Sequence, residues 1–236
     1  MPKIQTEGDF LQLRVKGKKA APISPREERA DRIYRVAAEV MCQKGYEATS
    51  MNDIADAVGL TKAGLYHYIR GKEDLLFQIM SYGMEMIEQD AIKPAKQVQD
   101  PMERLRVILS RHFKRVLDVG GAVSILLDEM YALTPAHRRT IKARKRAYFD
   151  LVRETLDQLS AAGKLRDVSP TVATFSLLGM VNWVSRWYRR DGKLRSEQVL
   201  SDLIEIALNS VLRETTGDLV EAMPVGAALP LKGSKR

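Results

Sequence analysis

A group of hydrogen-bond donors within one short stretch marks the part of the chain best suited to bind an anion. Its members are Lys62, Tyr66, His67 and Tyr68, which supply one fixed positive charge and three rings with polar tips. Where such residues begin a helix, the helix N-terminus adds partial positive charge and free backbone N–H groups. This chemistry indicates binding to phosphate.

Two predicted helices and a glycine turn, within residues 49–75, must position these donors. Ser50 precedes a helical pattern and Asp53 lies three residues later, which predicts capping of the first helix. The face of that helix expected to be buried has apolar residues at helical spacing, namely Ile54, Ala55 and Val58. Gly59 is expected to form the turn, because glycine adopts positive φ without steric cost.

The second predicted helix has about seven residues, from Lys62 to near Ile69, with Thr61 as its cap. A helix this short is unstable alone, so its neighbours must hold it. Two short helices joined by a glycine turn are typical of the helix-turn-helix, whose second helix enters the major groove of DNA. The alternative is a pair of packing helices in an ordinary α-helical domain with exposed tyrosines.

The same stretch resembles the N-terminal domain of the tetracycline repressor (TetR/AcrR) family of bacterial regulators. The residues that carry the resemblance are Gly45-Tyr46, Thr49, Ile54-Ala55, Val58-Gly59, residues 62–68 and Lys72-Glu73-Asp74-Leu75. Ile69 departs from the family pattern, which usually has phenylalanine there, but it can fill the same apolar site. The motif match covers residues 27–80, whereas the remainder agrees only in helical pattern and length.

The resemblance implies a homodimeric repressor that inserts residues 62–68 into the major groove of a palindromic operator. The DNA-binding residues that it implies are Thr49, Thr61, Lys62, Ala63, Gly64, Tyr66, His67, Tyr68 and Lys72. Among them, Thr49, Tyr66, His67 and Lys72 are expected to anchor phosphates, and Lys62 to reach a base edge. A transcriptional activator of the same fold and a helical protein-binding adaptor are the alternatives.

Composition agrees with an anionic partner but does not identify it. The chain of 236 residues has a net charge of +8, a pI near 9.5, 45% hydrophobic and 29% charged residues, as in soluble globular proteins. The single cysteine, Cys42, excludes an internal disulfide and suits the cytoplasm. No signal peptide is apparent, and Asn182 and Arg186 interrupt the most apolar stretch, so no membrane span is expected.

The helical pattern predicts an all-α fold of about nine helices in two domains. The predicted parts are a flexible basic arm (1–25), a helix-turn-helix domain (26–75), a helical effector-binding and dimerisation domain (76–214) and a disordered tail (215–236). A long fourth helix is expected to begin at Lys72 and act as a lever between the domains, and Pro94 with the polar segment through Asp100-Pro101 is expected to end it. A short helix is expected over residues 122–133. The arm is expected either to add phosphate and minor-groove contacts or to be a solvated tail.

The last two predicted helices, residues 171–190 and 197–213, are apolar on more than one face. A helix with two apolar faces in a small domain needs a second surface against which to bury the second face, and another copy of the chain is the simplest source of that surface. The sequence therefore predicts a homodimer through these helices.

An effector site is predicted on the first of these two helices, which carries large rings beside one amide and one cation. Its proposed ligand-binding residues are Gly179, Asn182, Trp183, Arg186 and Trp187. The alternative is that the rings are dimer core. A basic run from Arg138 to Arg146 is either solvated surface or a phosphate site, and the C-terminal part resembles the branch of the family that senses acyl-CoA. An apolar or acyl-CoA effector is the expectation.

Catalysis is not expected. The three histidines, His67, His112 and His137, lie on different predicted helices without metal-binding spacing. The sequence has no glycine-rich phosphate loop and no Gly-x-Ser-x-Gly elbow. We therefore expect no enzyme activity, no metal and no cofactor.

Overall fold

The computed structural model describes residues 25–119 and 129–213. Over these residues the chain is helical, with α1 (Pro25–Lys44), α2 (Met51–Val58), α3 (Lys62–Tyr66), α4 (Lys72–Ile87), α5 (Pro101–Val119), α6 (Pro135–Ala161), α7 (Pro170–Trp187) and α8 (Ser196–Val211). The prediction of an all-α fold is confirmed. The predicted tail and, apart from Pro25, the predicted basic arm lie outside the described residues.

The prediction of a helix over residues 122–133 is wrong for the residues at its C-terminal end, which the structure describes. Met130–Ala132 form a single 3₁₀ turn, and Leu133 is extended, with φ −81° and ψ 148°. Pro135 disfavours a helical conformation in Thr134, so the chain is extended before α6 begins. The rest of this predicted helix lies largely outside the described residues.

The fourth helix ends within the polar segment predicted to end it, but Pro94 itself does not end it. The helix continues beyond α4 through a π-turn (Glu88–Ile92) and a last α-helical turn (Lys93–Lys96) that contains Pro94. Proline has no N–H to donate within a helix, and the wider π-turn directly before it accommodates this loss without ending the helix. The long helix therefore continues through Pro94 and ends at Lys96, before Asp100 and Pro101.

Two hydrophobic cores divide the molecule, and the long helix belongs to both. In the N-terminal core, α1, α2 and α3 pack against α4 as far as Met84. In the C-terminal core, the continuation of that helix from Ile87 to Ala95 packs against α5 to α8. The N-terminal core thus extends past the predicted domain boundary at residue 75. Leu133 and Ile141, from the start of α6, are also buried in the N-terminal core.

The C-terminal domain is arranged around α5, which contacts α6, α7 and α8. Gly163, with φ +70°, forms the turn after α6, where a residue with a side chain would be strained. The chain then makes one antiparallel bridge between Leu165 and Leu212, with the Arg166 N–H 2.9 Å from the Val211 carbonyl oxygen. Within the described ranges, none of the helices has the length and apolarity to cross a bilayer.

Candidate nucleic-acid interface

The start of α2 is fixed by a reciprocal pair of hydrogen bonds, as predicted. The Asp53 N–H donates to Ser50 Oγ at 3.1 Å, and the Ser50 N–H donates to Asp53 Oδ2 at 2.8 Å. Lys44 Nζ, at the end of α1, lies 2.6 Å from Asp53 Oδ1. Its ammonium group, followed by the capping bonds, lowers the pKa of Asp53 below the ordinary range. The Asp53 carboxylate therefore connects α1 to α2.

Gly59 forms the predicted turn between α2 and α3. Its φ of +71° lies in the left-handed region, and the following Leu60 N–H donates to the Ala55 carbonyl at 2.9 Å. The predicted burial of Ile54, Ala55 and Val58 is confirmed. The turn therefore ends α2, whose buried face packs in the N-terminal core, and α3 begins three residues later.

The first turn of α3 explains why small residues occur there. Thr61 caps the helix, because its hydroxyl oxygen accepts the Gly64 N–H at 3.0 Å. A Cβ on Gly64 would lie only 3.2 Å from that same oxygen. Gly64 therefore leaves room for the cap of its own helix.

Helix α3 is shorter than the predicted seven residues. Its α-helical part ends at Tyr66, and the next N–H groups make tighter bonds three residues back, from His67 to Gly64 and from Tyr68 to Leu65. Such 3₁₀ bonding commonly ends short helices. Leu65 and Ile69 are buried and hold this segment to the N-terminal core.

Most of the predicted DNA-binding residues are brought together on the outer side of α3. The exposed members are Thr61, Lys62, Ala63, Tyr66 and His67, whereas Gly64 and Tyr68 are half-buried. Tyr66 is 45% exposed, although it is a large ring. Protein does not cover these donors, so they are free to meet a ligand; their contact with DNA stays a prediction.

Thr49 and Lys72 have protein partners instead. Thr49 is buried, and its hydroxyl donates to the Gly45 carbonyl at 2.8 Å. Lys72 Nζ donates to the Glu47 carbonyl at 2.9 Å and lies 4.5 Å from the centre of the Tyr46 ring. Both residues hold the α1–α2 turn in place, and their phosphate contacts remain predictions. The sequence interpretation had assigned no role to Glu47, because its carbonyl carries no signature in the side-chain pattern.

A shallow concave surface continues from the end of α3 towards the C-terminal domain. It is lined by Tyr66, His67, Tyr68, Ile69, Arg70, Asp74, Gln78 and His137. Sequence reasoning missed Arg70, Gln78 and His137 as members of this surface. His137 comes from α6, and no local pattern could place it beside α3.

The five predicted ligand-binding residues lie on the exposed side of α7 and not inside the domain as expected. Trp183 is 65% exposed and Trp187 is 41% exposed, and Gly179, Asn182 and Arg186 share this exposed side. The apolar face of α7 that packs inward uses other residues, Ala173, Leu177, Val181 and Val184. A ligand role for the five stays a prediction, but their exposure favours the alternative that they are dimer core.

Further large apolar side chains are exposed beside the two tryptophans. They are Val172 and Phe175 on α7 and Ile206 on α8, each more than half exposed. Several large exposed apolar side chains on the same two helices indicate an interaction surface.

The basic run at the start of α6 is only partly solvated surface. Arg138 donates to the carbonyls of Tyr131 and Leu133, and Arg144 bonds Glu88 at 3.1 Å. Arg139, Lys142 and Lys145 are exposed. Arg138 thus holds the segment before α6, and Arg144 connects α6 to the long helix. Arg146 is exposed but pairs with Asp150 on its own helix, so Arg139, Lys142 and Lys145 are the exposed cations proposed to face a phosphate group.

A buried polar pair lies in the C-terminal core. His112 Nδ1 on α5 is 2.9 Å from the Tyr148 hydroxyl on α6. Burial lowers the pKa of His112 to about 4 and raises that of Tyr148, so both are neutral near pH 7. The described residues contain no group of three or more His, Cys, Asp or Glu side chains that could hold a metal ion.

Comparison with known sequence families gives two matches along the chain. Residues 33–79 match the profile described as "Bacterial regulatory proteins, tetR family". Residues 98–211 match "Tetracyclin repressor-like, C-terminal domain".

Similar solved structures and sequence relatives also include DNA-binding regulators. The structure of AibR in complex with isovaleryl coenzyme A and operator DNA is 41% identical, covers 75% of this chain and 97% of that chain, and has a TM-score of 0.67. The TetR family transcriptional regulator PfmR from Thermus thermophilus is 33% identical over 76% of this chain and 98% of its own, with a TM-score of 0.67. The transcriptional repressor KstR2 from Mycobacterium tuberculosis is 25% identical over 79% of this chain and 94% of its own.

Proposed function

Because the chain belongs to the TetR family of bacterial regulators, we propose that it is a repressor that binds a palindromic operator as a homodimer and is released by an acyl-CoA or another small apolar effector. Its site of action is the cytoplasm, and it is a regulator and not an enzyme. The observation that carries the proposal is the exposed donor surface on α3, a helix too short to serve as an ordinary packing element.

In the proposed complex, α3 enters the major groove. Lys62 reaches a base edge, while Tyr66 and His67 bind phosphates on either side of the groove. Thr61, Ala63, Gly64 and Tyr68 complete the surface, and the small residues allow the backbone to approach the DNA. Phosphate contacts set the register and give most of the salt-dependent affinity, and base contacts specify the sequence.

The exposed apolar face of α7 and α8 supports the homodimer. In the proposed dimer these helices pack against their copies across a two-fold axis and bury Trp183, Phe175 and Ile206. Two α3 helices about 34 Å apart would then read successive major grooves. A Trp183→Glu variant is expected to be monomeric in sedimentation analysis, whereas Glu205→Ala, a polar change on α8, should leave the dimer intact.

An acyl-CoA effector is supported by the similarity to AibR, which was solved with isovaleryl coenzyme A. The exposed Arg139, Lys142 and Lys145 are candidate partners for its phosphates. Of the predicted ligand residues on α7, the uncharged ones that the proposed dimer leaves unassigned are candidates for its acyl part, namely Gly179, Asn182 and Trp187. The effector must bind the DNA-free geometry more tightly than the DNA-bound one, because only differential affinity shifts the equilibrium. Tilting of α4 would then change the separation of the two α3 helices.

DNA binding is tested by fluorescence anisotropy with duplexes taken from upstream of its own gene. Tyr66→Ala should weaken binding at least tenfold. Val168→Ala is the control, because Val168 is similarly exposed but lies between α6 and α7 in the C-terminal domain. Equal affinity of both variants, or sequence-independent binding by the wild type, would favour the protein-binding adaptor. A reporter gene under the bound duplex separates repression from activation.

The effector is tested by adding isovaleryl-CoA, CoA and isovalerate to the preformed complex. Release by isovaleryl-CoA alone supports an acyl-CoA sensor. Release by isovalerate but not by its CoA ester would contradict the role of the exposed cations.

A further inference from the structure

A carboxylate of the N-terminal domain caps a helix of the C-terminal domain. Glu73, in the first turn of α4, accepts the backbone N–H of Thr134 at 2.8 Å, and the same oxygen lies 2.9 Å from His137 Nδ1. Thr134 immediately precedes α6, and His137 lies in its first turn. The two domains thus share a hydrogen-bonded cap.

The cap that the C-terminal domain itself supplies to α6 is a long hydrogen bond. The Thr134 hydroxyl accepts the His137 N–H at a long 3.3 Å. The first N–H groups of any helix lack partners within it, and negative charge near them is favourable. Glu73 supplies both an acceptor and that charge from outside the C-terminal domain.

Apolar contacts reinforce the same junction. The Phe77 ring, one turn after Glu73, stacks on the His137 ring with centroids 3.8 Å apart and an interplanar angle of 5°. Leu133 and Ile141, on either side of the cap, are buried in the N-terminal core. The start of α6 therefore follows the position of α4 more closely than the position of its own domain.

Two consecutive residues at the start of α4 connect it in opposite directions. Lys72 bonds the α1–α2 turn beside the DNA-reading helices, and Glu73 bonds the start of α6. A displacement of α6 must either break the Glu73 bonds or carry the start of α4 with it, and through Lys72 the DNA-reading helices as well.

We propose that Glu73 is the positioning residue that couples the DNA-reading helices to α6, by accepting the Thr134 and His137 hydrogen bonds. This inference rests on the proposed DNA binding, because the experiment below uses bound DNA to measure the coupling. Because coupling is reciprocal, DNA bound at α3 must stabilise the start of α6. That effect can be measured without any effector.

The experiment follows amide hydrogen exchange of residues 133–141, with and without a duplex that the protein has selected from a random-sequence pool. In the wild type, bound duplex should slow exchange there by about tenfold, since opening of the α6 start is coupled to movement of α4. Glu73→Ala should still bind the duplex but lose this slowing. Glu73→Gln, which keeps an acceptor oxygen, should retain it.

A second pair of variants tests the donor of the hydrogen bond to Glu73, which is the Thr134 N–H. Thr134 has φ −54°, which proline can adopt, and the preceding Leu133 already has the extended conformation that proline requires. Thr134→Ala removes only the hydroxyl, whereas Thr134→Pro also removes the N–H given to Glu73. Thr134→Pro should abolish the slowing, Thr134→Ala should keep it, and adding Glu73→Ala to Thr134→Pro should have no further effect.

The outcomes separate the two proposals. If the wild type selects no duplex, the proposed function fails. If the duplex binds and exchange at residues 133–141 does not change, or if Glu73→Ala retains the slowing, the coupling role of Glu73 is refuted. Loss of the slowing in Glu73→Gln as well would refute its assignment to the accepted hydrogen bonds.

Discussion

Leu65 is the single buried residue of α3, and its truncation tests how this helix is held in place. The side chain is fully buried in the N-terminal core, and its carbonyl accepts the N–H groups of Tyr68 at 3.0 Å and Ile69 at 3.3 Å. Replacing a fully buried leucine by alanine costs about 3 to 5 kcal/mol, because contacts are lost and a cavity remains. This is most of the roughly 5 kcal/mol that stabilises a small domain.

We therefore expect Leu65→Ala to lower the ratio of folded to unfolded N-terminal domain by at least about 100-fold, since 1.4 kcal/mol is a factor of ten. Affinity for the selected duplex should fall by more than about tenfold, because a five-residue helix has no stability of its own once its anchor is removed.

Urea unfolding followed by two signals measures the effect. Both tryptophans lie on α7, so their fluorescence reports the C-terminal domain, whereas far-UV circular dichroism reports all helices. In Leu65→Ala the dichroism should begin to fall at lower urea concentration than the fluorescence changes. Leu60→Ala is the control, because Leu60 packs against the same core but is only partly buried. Wild-type stability and affinity in Leu65→Ala would refute the reasoning.

Three further outcomes are expected. First, the free energy of unfolding should decrease by up to about 3 kcal/mol as the pH falls from about 6.5 to 4. The reason is that the unfolded chain protonates His112 at its ordinary pKa, while the folded protein does so only near its lowered pKa of about 4. His112→Gln should flatten this part of a profile of urea midpoint against pH. Second, Asp53 has a lowered pKa in the folded protein, chiefly because of Lys44. Its contribution to the free energy of unfolding is therefore present above its ordinary pKa near 4 and is lost as the pH falls below that value. Asp53→Asn should remove this loss at acid pH, and an unchanged profile of urea midpoint against pH would contradict the reasoning. Third, Lys72→Gln should reduce the slope of log affinity against log salt by about one, whereas Tyr66→Phe should weaken binding with no change of slope; equal slopes in both variants would show that Lys72 serves only the α1–α2 turn.

Local features of the helix-turn-helix could be predicted from the sequence. The Ser50–Asp53 cap and the left-handed Gly59 involve residues within a few positions of each other, and their chemistry permits few conformations. The buried face of α2 follows from helical spacing alone. Sequence periodicity also located most helix boundaries to within a few residues.

Features that depend on distant contacts could not be predicted. Glu73 and Thr134 are 61 positions apart, and nothing near either residue indicates the other. The exposed tryptophans show a second limit of prediction from sequence. Helical spacing indicates which residues share a face, but it does not indicate whether that face packs within the chain or against another copy.

Leu133 and Ile141 determine where this protein can be divided. A chimera that joins the first four helices to a different sensor would leave two vacant positions in the transplanted core, because the side chains that fill them come from beyond the junction. A functional exchange of DNA specificity must therefore transfer residues 133–141 together with the N-terminal helices. In this protein the exchangeable module is discontinuous in sequence, and recombination at one crossover would separate its parts.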